Sequence, residues 1–204
     1  EDFIREFQEK VNWYCISKYQ KLSEDFIREF YGKVSWIGIS ANQKLSESFI
    51  REFQDKVYWD LISEYQILSE EFQKEFNLEI PKNNMLYYSR DQKLDILNSG
   101  DGNPYEMDGE YILAFKSTRH DGYSAYNFQY KYEVGQSYES HADGNLNNEN
   151  SFGLSVWTKE EALEYKNNGE LYKVRVHIDD VSAIVHKKKK LRCTKIEIIE
   201  NVTF

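Results

Sequence analysis

The chain has 204 residues, a formal net charge of −9 and 40% hydrophobic residues, with 16% aromatic. This composition is too aromatic for a disordered chain, and the length suffices for a repeat region plus one compact domain. No run of about 18 apolar residues exists, so no membrane span is predicted, and the acidic balance argues against nucleic acid as a partner.

Three near-identical units of 23 residues fill the first third of the chain. They are residues 1–23, 24–46 and 47–69, followed by a partial fourth unit at 70–80. The second and third units each differ from the first at 7 of 23 positions. A short unit repeated in tandem buries its apolar face only against its neighbours. The sequence therefore predicts a helical repeat array over residues 1–81.

Each unit is predicted to form two short helices. Ser23 is suited to cap the helix that begins at the following residue, because its hydroxyl can accept a bond from a free backbone N–H. Phe26, Ile27 and Phe30 then lie on one helical face. Trp36 continues the apolar pattern in the second helix, and a tryptophan that recurs at helical spacing in every unit is expected to belong to the core.

The surface of the array is expected to bind a partner protein. Residues 1–81 hold 16 Asp and Glu against 10 Lys and Arg. Glu6, Glu29 and Glu52 occupy equivalent sites in the three units and are expected on one exposed outer face. Lys18 and Glu64 mark a position where the units differ, which is expected to be exposed as well. These five residues are the predicted partner-binding residues.

The repeat fades at Pro81, and the second domain is predicted over residues 82–204. A helix is expected at 89–97, and a second helix is expected after Thr158, with Glu161 completing a capping box and Asn168 and Gly169 ending the helix. The predicted strands are residues 110–117, 130–134, 152–157, 172–178, 181–185 and 191–199. Together these elements predict a small α+β domain with mainly antiparallel strands.

The two cysteines, Cys15 and Cys193, lie in different regions without a partner motif. A secreted domain of this size would more often carry an even framework of bridges. Two reduced thiols in an intracellular, cytoplasmic protein are therefore expected.

Two parts of the sequence resemble viral and phage proteins. The repeated phrase KLSEDFIREF…KVNW…ISKYQKLSE resembles short tandem repeats in proteins of giant DNA viruses and of phages that infect AT-rich bacteria. The second region resembles a poorly characterised viral and phage domain through residues 113–116 (LAFK), 132–138 (YEVGQSY) and 191–196 (LRCTKI). The resemblance implies a viral or phage protein in which the repeats stand beside a second module.

An enzymatic alternative rests on another resemblance. The order of the strand with FGLSVWT, a helix and the strand GELYKVRVHI is similar to the middle of ADP-ribosyltransferase-like folds, which hold NAD in a cleft. On that resemblance Arg119 or His120 would bind the dinucleotide, Tyr123 or Trp157 would stack on nicotinamide, and Glu110 would polarise the ribose. NAD is the cofactor under this alternative, and none is expected otherwise.

Three further patterns bear on the chemistry of the chain. The histidines His120, His141, His177 and His186 would suit acid–base catalysis in a ribonuclease, although their spacing predicts no zinc site. The run of four lysines at 187–190 is expected to be a solvated hairpin turn rather than a phosphate contact. The aromatic stretch Tyr123, Tyr126, Phe128, Tyr130 and Tyr132 fits strand packing as well as base stacking.

The sequence thus favours an interaction protein over an enzyme. In the leading hypothesis, the acidic array of a viral or phage protein binds a host protein and inhibits or modulates it. The host protein could be a defence nuclease, whose basic nucleic-acid groove the acidic array would occupy. The second domain supplies a further contact in this hypothesis.

Overall fold

A computed structural model describes residues 1–125, 129–165 and 169–203 of the chain. The chain divides into two compact units, Glu1–Lys82 and Asn83–Phe204. Short helices in the first unit and antiparallel strands in the second confirm the predicted α+β class. Tyr126, Phe128 and Asn168, which entered the predictions above, lie outside the described residues.

The first unit is an array of short helices, two for each complete repeat. They are α1 (Asp2–Glu6), α2 (Trp13–Tyr19), α3 (Glu24–Glu29), α4 (Trp36–Asn42), α5 (Glu47–Glu52), α6 (Trp59–Tyr65) and α7 (Glu70–Glu75). Helices of five to seven residues are marginal in water on their own. Contacts between neighbouring repeats must therefore supply most of their stability.

Serine side chains cap the first helix of each later repeat. Ser23 Oγ accepts a hydrogen bond from the backbone N–H of Phe26 at 3.2 Å, which confirms the predicted cap. Ser46 and Ser69 make the equivalent bond in the next two repeats. The core follows directly, since Phe26 and Ile27 are fully buried. Their equivalents in the following units and the isoleucines of α4 and α6 are also fully buried: Ile39, Phe49, Ile50, Ile62 and Phe72. In the first unit, by contrast, Phe3 is 68% exposed.

The second unit is built on one eight-stranded sheet in which every described pairing is antiparallel. Its strands are β1 (Glu106–Asp108), β2 (Tyr111–Ser117), β3 (Ser137–Glu139), β4 (Leu154–Trp157), β5 (Leu171–His177), β6 (Val181–Val185), β7 (Lys190–Cys193) and β8 (Lys195–Asn201). Their order is β3-β8-β5-β2-β4-β7-β6, and β1 pairs with β2 outside this path. Two helices, α8 (Arg90–Asn98) and α9 (Lys159–Glu164), accompany the sheet.

The core of the second unit lies on one face of this sheet. Alternate residues of a strand point to opposite faces, and Ile112 and Ala114 of β2 are buried beside Val174 and Val176 of β5. Leu97 of α8 belongs to the same cluster. The predicted alternation along β5 is confirmed by this burial pattern.

Residues 130–134 do not form the predicted strand. Among the described residues, this segment has only an isolated bridge between Tyr123 and Lys131. Two backbone hydrogen bonds with residues 122–124 accompany this bridge. The hydroxyl of Tyr138 on β3 also holds the segment, because it donates to Lys131 O at 2.7 Å and accepts from the N–H of Glu133 at 2.9 Å. The chain turns at Gly135 (φ 83°), and the short strand that the sequence pattern missed follows.

Two other local predictions are corrected. Thr158 precedes α9 as predicted, but its side chain makes no capping bond, and Glu161 binds Lys189 instead. The predicted single strand at 191–199 is divided into β7 and β8, which are not neighbours in the sheet. Thr194 separates them, and its N–H donates to Asp180 O at 2.8 Å.

Candidate functional site

Tryptophans connect each repeat to the phenylalanines of the next. The Trp13 ring lies 5.0 Å from Phe30, Trp36 lies 5.0 Å from Phe53, and Trp59 lies 4.6 Å from Phe76, measured between ring centroids. The three indoles are half-buried and pack against the core cluster of the array. They belong to the scaffold as expected, although each keeps an exposed edge.

A buried glutamine makes the main polar contact between repeats. Gln43, which is 3% exposed, accepts the N–H of Leu22 at 3.0 Å. Its Nε2 donates to Ser17 O at 2.8 Å and to Gln20 O at 2.7 Å. Gln66 repeats all three bonds one unit later. Sequence reasoning missed this role, although a glutamine at the same position of every unit was the available signal.

A ladder of ion pairs runs along the outside of the array. Arg5 Nε lies 2.8 Å from Glu29, and Arg28 Nε lies 2.8 Å from Glu52. Arg51 continues the ladder with Glu75, and this hydrogen bond lowers the pKa of the Glu75 carboxyl below its ordinary value. Glu29 and Glu52, predicted as partner-binding residues, are thus engaged within the array.

Glu6 occupies the same position of the first repeat without such a partner. The array, all of which is described, gives it no ion pair, and its side chain is exposed. The three glutamates therefore share a position but differ in their contacts.

The positions that vary between repeats are separate from these shared contacts. The contacts above use glutamate, arginine, tryptophan, serine and glutamine side chains that are identical in all three complete units. We define the variable surface as residues 8, 9, 12, 14, 18, 19 and 21 of the first unit and the residues 23 and 46 positions further along. No side-chain contact between repeats that is common to all units uses these positions. Residues at these positions can therefore vary without loss of the contacts that join the repeats.

Large apolar side chains stand out on the variable surface. Tyr14 is 51% exposed, Ile37 is 48% exposed and Tyr58 is 49% exposed. Single exposed apolar residues are ordinary on protein surfaces, but each complete repeat has two on the variable surface, and such a set provides anchors for a partner. The other three are Tyr19, Tyr31 and Ile67.

The charge of the variable surface changes sign along the array. The first repeat contributes Lys18 and Lys21 against Glu9, whereas the third contributes no basic residue and three acidic ones, Asp55, Asp60 and Glu64. The overall charge of the array predicted an acidic surface, but the variable surface is acidic only in the third repeat.

Lys18 and Glu64 are half-buried rather than fully exposed. The Lys18 ammonium lies 5.9 Å from the ring centroid of Tyr14 and 5.2 Å from that of Tyr19. A hydrogen bond with Tyr19 raises the pKa of Lys18 above its ordinary value.

Of the residues considered for an NAD site, Arg119, His120 and Tyr123 lie in one turn, where the Arg119 N–H donates to Tyr123 O at 2.9 Å, but Glu110 lies apart from them. Glu110 precedes β2, where it binds Arg90 and lies 3.3 Å from His177. Arg119 follows the other end of β2 and donates to Asp121 at 3.0 Å. A strand of seven residues is about 23 Å long. The two ends of β2 are therefore too far apart for one compact site.

The remaining NAD candidates also have local partners. His120 lines a groove of about 420 Å³ beside Glu170, and Tyr123 bridges to Lys131. Trp157 on β4 packs against Tyr165, with ring centroids 4.6 Å apart. Trp157 and Glu110 thus have contacts of their own outside the turn that holds Arg119, His120 and Tyr123.

The four histidines are likewise dispersed. His120 lies after β2, His141 before β4, His177 at the end of β5 and His186 in the turn after β6. No cluster of three His, Cys, Asp or Glu side chains suited to a metal ion occurs within the described residues. In the same part of the chain, no helix is long and apolar enough to span a membrane.

The lysine run forms the β6–β7 turn as predicted, but three of its lysines are bound rather than solvated. Lys188 Nζ donates to the carbonyls of Leu97, Ser99 and Gly102 at 2.5 to 3.2 Å. Lys189 pairs with Glu161. Lys190 is buried, which lowers its pKa to about 8. The run therefore serves the fold of the second unit.

No protein-family model, curated protein or solved structure matches the chain.

Proposed function

We propose that this is an intracellular protein-interaction protein of viral or phage type, which binds a host protein through the variable surface of its repeat array. One observation carries the proposal. The three repeats keep the residues that join them and differ where side chains make no shared contact. Repeat proteins with a constant scaffold and a varied surface commonly use that surface to bind partners.

The chemistry of the variable surface supports the choice of a protein partner. Tyr14, Ile37 and Tyr58 supply exposed apolar area, the kind of side chain that anchors protein interfaces. The acidic third repeat would face a basic region of the host protein, such as the nucleic-acid groove of a defence nuclease. Association would then be inhibitory, because the array would occupy that groove.

The cytoplasmic assignment rests on the thiols and on the viral resemblance. Cys15 is exposed and Cys193 is buried, and both are free in the structure. An exposed free thiol is usual in a reducing compartment. We therefore place the interaction inside the host cell.

Affinity capture from host lysate tests this function. The variant Tyr14→Ala/Ile37→Ala/Tyr58→Ala is expected to lose the protein that the parent chain captures. A matched control, Val134→Ala/Leu163→Ala, removes comparably exposed apolar side chains from the second unit (52% and 44% exposed) and is expected to retain it. Loss in the control together with retention in the array variant would move the binding surface to the second unit.

A further inference from the structure

The C-terminal end of the array carries a groove of about 520 Å³. Trp59 and Phe76 form an aromatic wall in it, with ring centroids 4.6 Å apart and an angle of 25° between the rings. The groove is also lined by the polar side chains of Gln54, Asp55, Asp60 and Glu79. The groove is therefore apolar on one side and rich in carboxylates.

At the boundary between the first two repeats, a lysine side chain binds the residues equivalent to Gln54 and Asp55. Lys33 Nζ of the second repeat lies 2.6 Å from Glu9 Oε1 and 2.8 Å from Gln8 Oε1 of the first. Gln54 and Asp55 are the equivalents of Gln8 and Glu9, 46 residues later. An ammonium group thus occupies this place at the first repeat boundary.

The fourth repeat cannot supply that ammonium group. Counting 46 residues from Lys33 leads to Glu79, so a carboxylate takes the position of the lysine. Asp55, Asp60 and Glu79 are exposed, and no described Lys or Arg forms an ion pair with any of them. Three carboxylates around one groove repel each other, and a cation between them would relieve the repulsion.

The tryptophan of this groove also has an unused donor. The indole N–H groups of Trp13 and Trp36 donate to Gln8 O and Tyr31 O at 3.0 and 3.1 Å. Trp59 Nε1 finds no such acceptor among the described residues. A polypeptide lying in the groove can offer a backbone carbonyl to it, and the indole face attracts a cation.

From these contacts we infer that the groove binds a lysine side chain from a basic segment of the partner protein. The ammonium group lies between Asp55 and Glu79, the methylene groups pack on Trp59 and Phe76, and a partner carbonyl accepts the Trp59 N–H. This inference deepens the proposed function and rests on it, since Gln54, Asp55 and Asp60 belong to the variable surface. It assigns the chemistry of one part of the partner.

A titration monitored by ¹H–¹⁵N NMR tests the site on the full chain. The probe is a blocked Gly-Lys-Lys-Lys-Gly peptide, and the same peptide with acetylated lysines is the control. The Trp59 indole cross-peak, assigned with Trp59→Phe, is expected to move saturably with the lysine peptide and to remain in place with the acetylated one. The Trp13 and Trp36 indole signals serve as internal references and are expected to remain unchanged.

A charge-matched pair of variants makes the test specific. Glu79→Lys supplies the missing lysine from within and is expected to weaken peptide binding by about tenfold or more, because the new ammonium competes for the carboxylates. Glu71→Lys changes the net charge equally at an exposed site outside the groove and is expected to bind nearly as the parent does. An unmoved Trp59 signal, or equal weakening in both variants, would overturn the lysine site.

Partner capture separates this inference from the proposed function. Capture that is lost in the Tyr14, Ile37 and Tyr58 variant but unchanged in Glu79→Lys would remove the lysine site and leave the proposed function standing. Capture unchanged in both would remove the function as well. Weaker capture in Glu79→Lys, with Glu71→Lys unaffected, supports both.

Discussion

Gln43 and Leu22 belong to different repeats, and the side-chain oxygen of Gln43 accepts the backbone N–H of Leu22 at 3.0 Å. The same carboxamide donates to two carbonyls of the first repeat. One buried side chain thus satisfies three backbone groups at a helix end that would otherwise be unpaired. This contact, together with the ion pairs and the aromatic contacts, joins neighbouring repeats in register.

Gln43→Ala is therefore expected to destabilise the array by about 2 to 4 kcal/mol, because it leaves buried backbone groups without partners. Urea unfolding followed by circular dichroism measures the effect. Gln20→Ala removes the equivalent, exposed side chain of the first repeat and is the matched control. Equal losses in the two variants would contradict the role assigned to the buried carboxamide.

Trp36→Ala tests the aromatic contact between repeats. The indole is half-buried against Phe49 and Phe53, so the expected loss is about 2 to 3 kcal/mol, at the low end for a deleted buried aromatic. The free energy of unfolding and partner capture are measured together. A loss below about 1 kcal/mol with abolished capture would make the tryptophans recognition residues instead.

Local patterns in the sequence were sufficient for the repeat helices. The cap at Ser23 and the buried pair Phe26 and Ile27 follow from spacing within one unit, and the alternation of β5 follows from spacing within one strand. The ladder pairing of Glu29 was not foreseen, because its partner lies 24 residues away. The constancy of that glutamate in every unit, where a partner surface would vary, was the overlooked signal.

Contacts made from outside the predicted segments also caused the errors in the second unit. Residues 130–134 alternate like a strand, yet in the described part of the chain their backbone bridges only to residues 122–124, and the Tyr138 hydroxyl binds the backbone of Lys131 and Glu133. Thr158 and Glu161 have capping-box spacing, but Lys189 from the β6–β7 turn binds the glutamate. A spacing rule considers only the residues within one segment. It therefore cannot predict contacts with Tyr138, which lies outside the first segment, or with Lys189, which lies 28 residues from Glu161.

The lysine turn gives a prediction with a control one residue away. Lys188→Met removes three hydrogen bonds to carbonyls around the end of α8 and is expected to destabilise the second unit by about 1 to 3 kcal/mol. Lys187→Met removes an exposed lysine of the same turn and should leave stability nearly unchanged. Thermal unfolding compares them. Equal stability of the two variants would support the original prediction of a solvated turn.

Lys116 predicts how stability responds to alkaline pH. Burial lowers its pKa to about 8, from an ordinary value near 10.5, while Nζ donates to Ser155 O at 2.8 Å. Below pH 8 the buried charge opposes folding in full. Between these two values the unfolded chain binds more protons, so this group makes stability rise with pH.

Lys116→Met is expected to raise stability at neutral pH and to flatten the rise above pH 8. Urea unfolding of parent and variant from pH 7 to 10 measures the difference, which cancels contributions from tyrosines and cysteines that the two proteins share. The Lys173→Met variant, with a half-buried lysine on β5, is the control. An unchanged slope in Lys116→Met would show that this ammonium group stays charged in the folded protein.

The glutamate position of the repeats distinguishes scaffold from binding surface. Glu52→Lys places a lysine against Arg28 and is expected to lower the melting temperature in low salt, with a smaller effect at 1 M salt, where screening shortens to about 3 Å. Glu6→Lys makes the same charge change where no ion pair exists and should leave the melting temperature unchanged. If the acidic array steers association, both variants slow binding of the captured partner in low salt. If both variants bind more slowly but are equally stable, the ion-pair ladder contributes nothing to the stability of the fold. If the variants differ in stability but associate as fast as the parent, electrostatic steering depends on residues other than these glutamates.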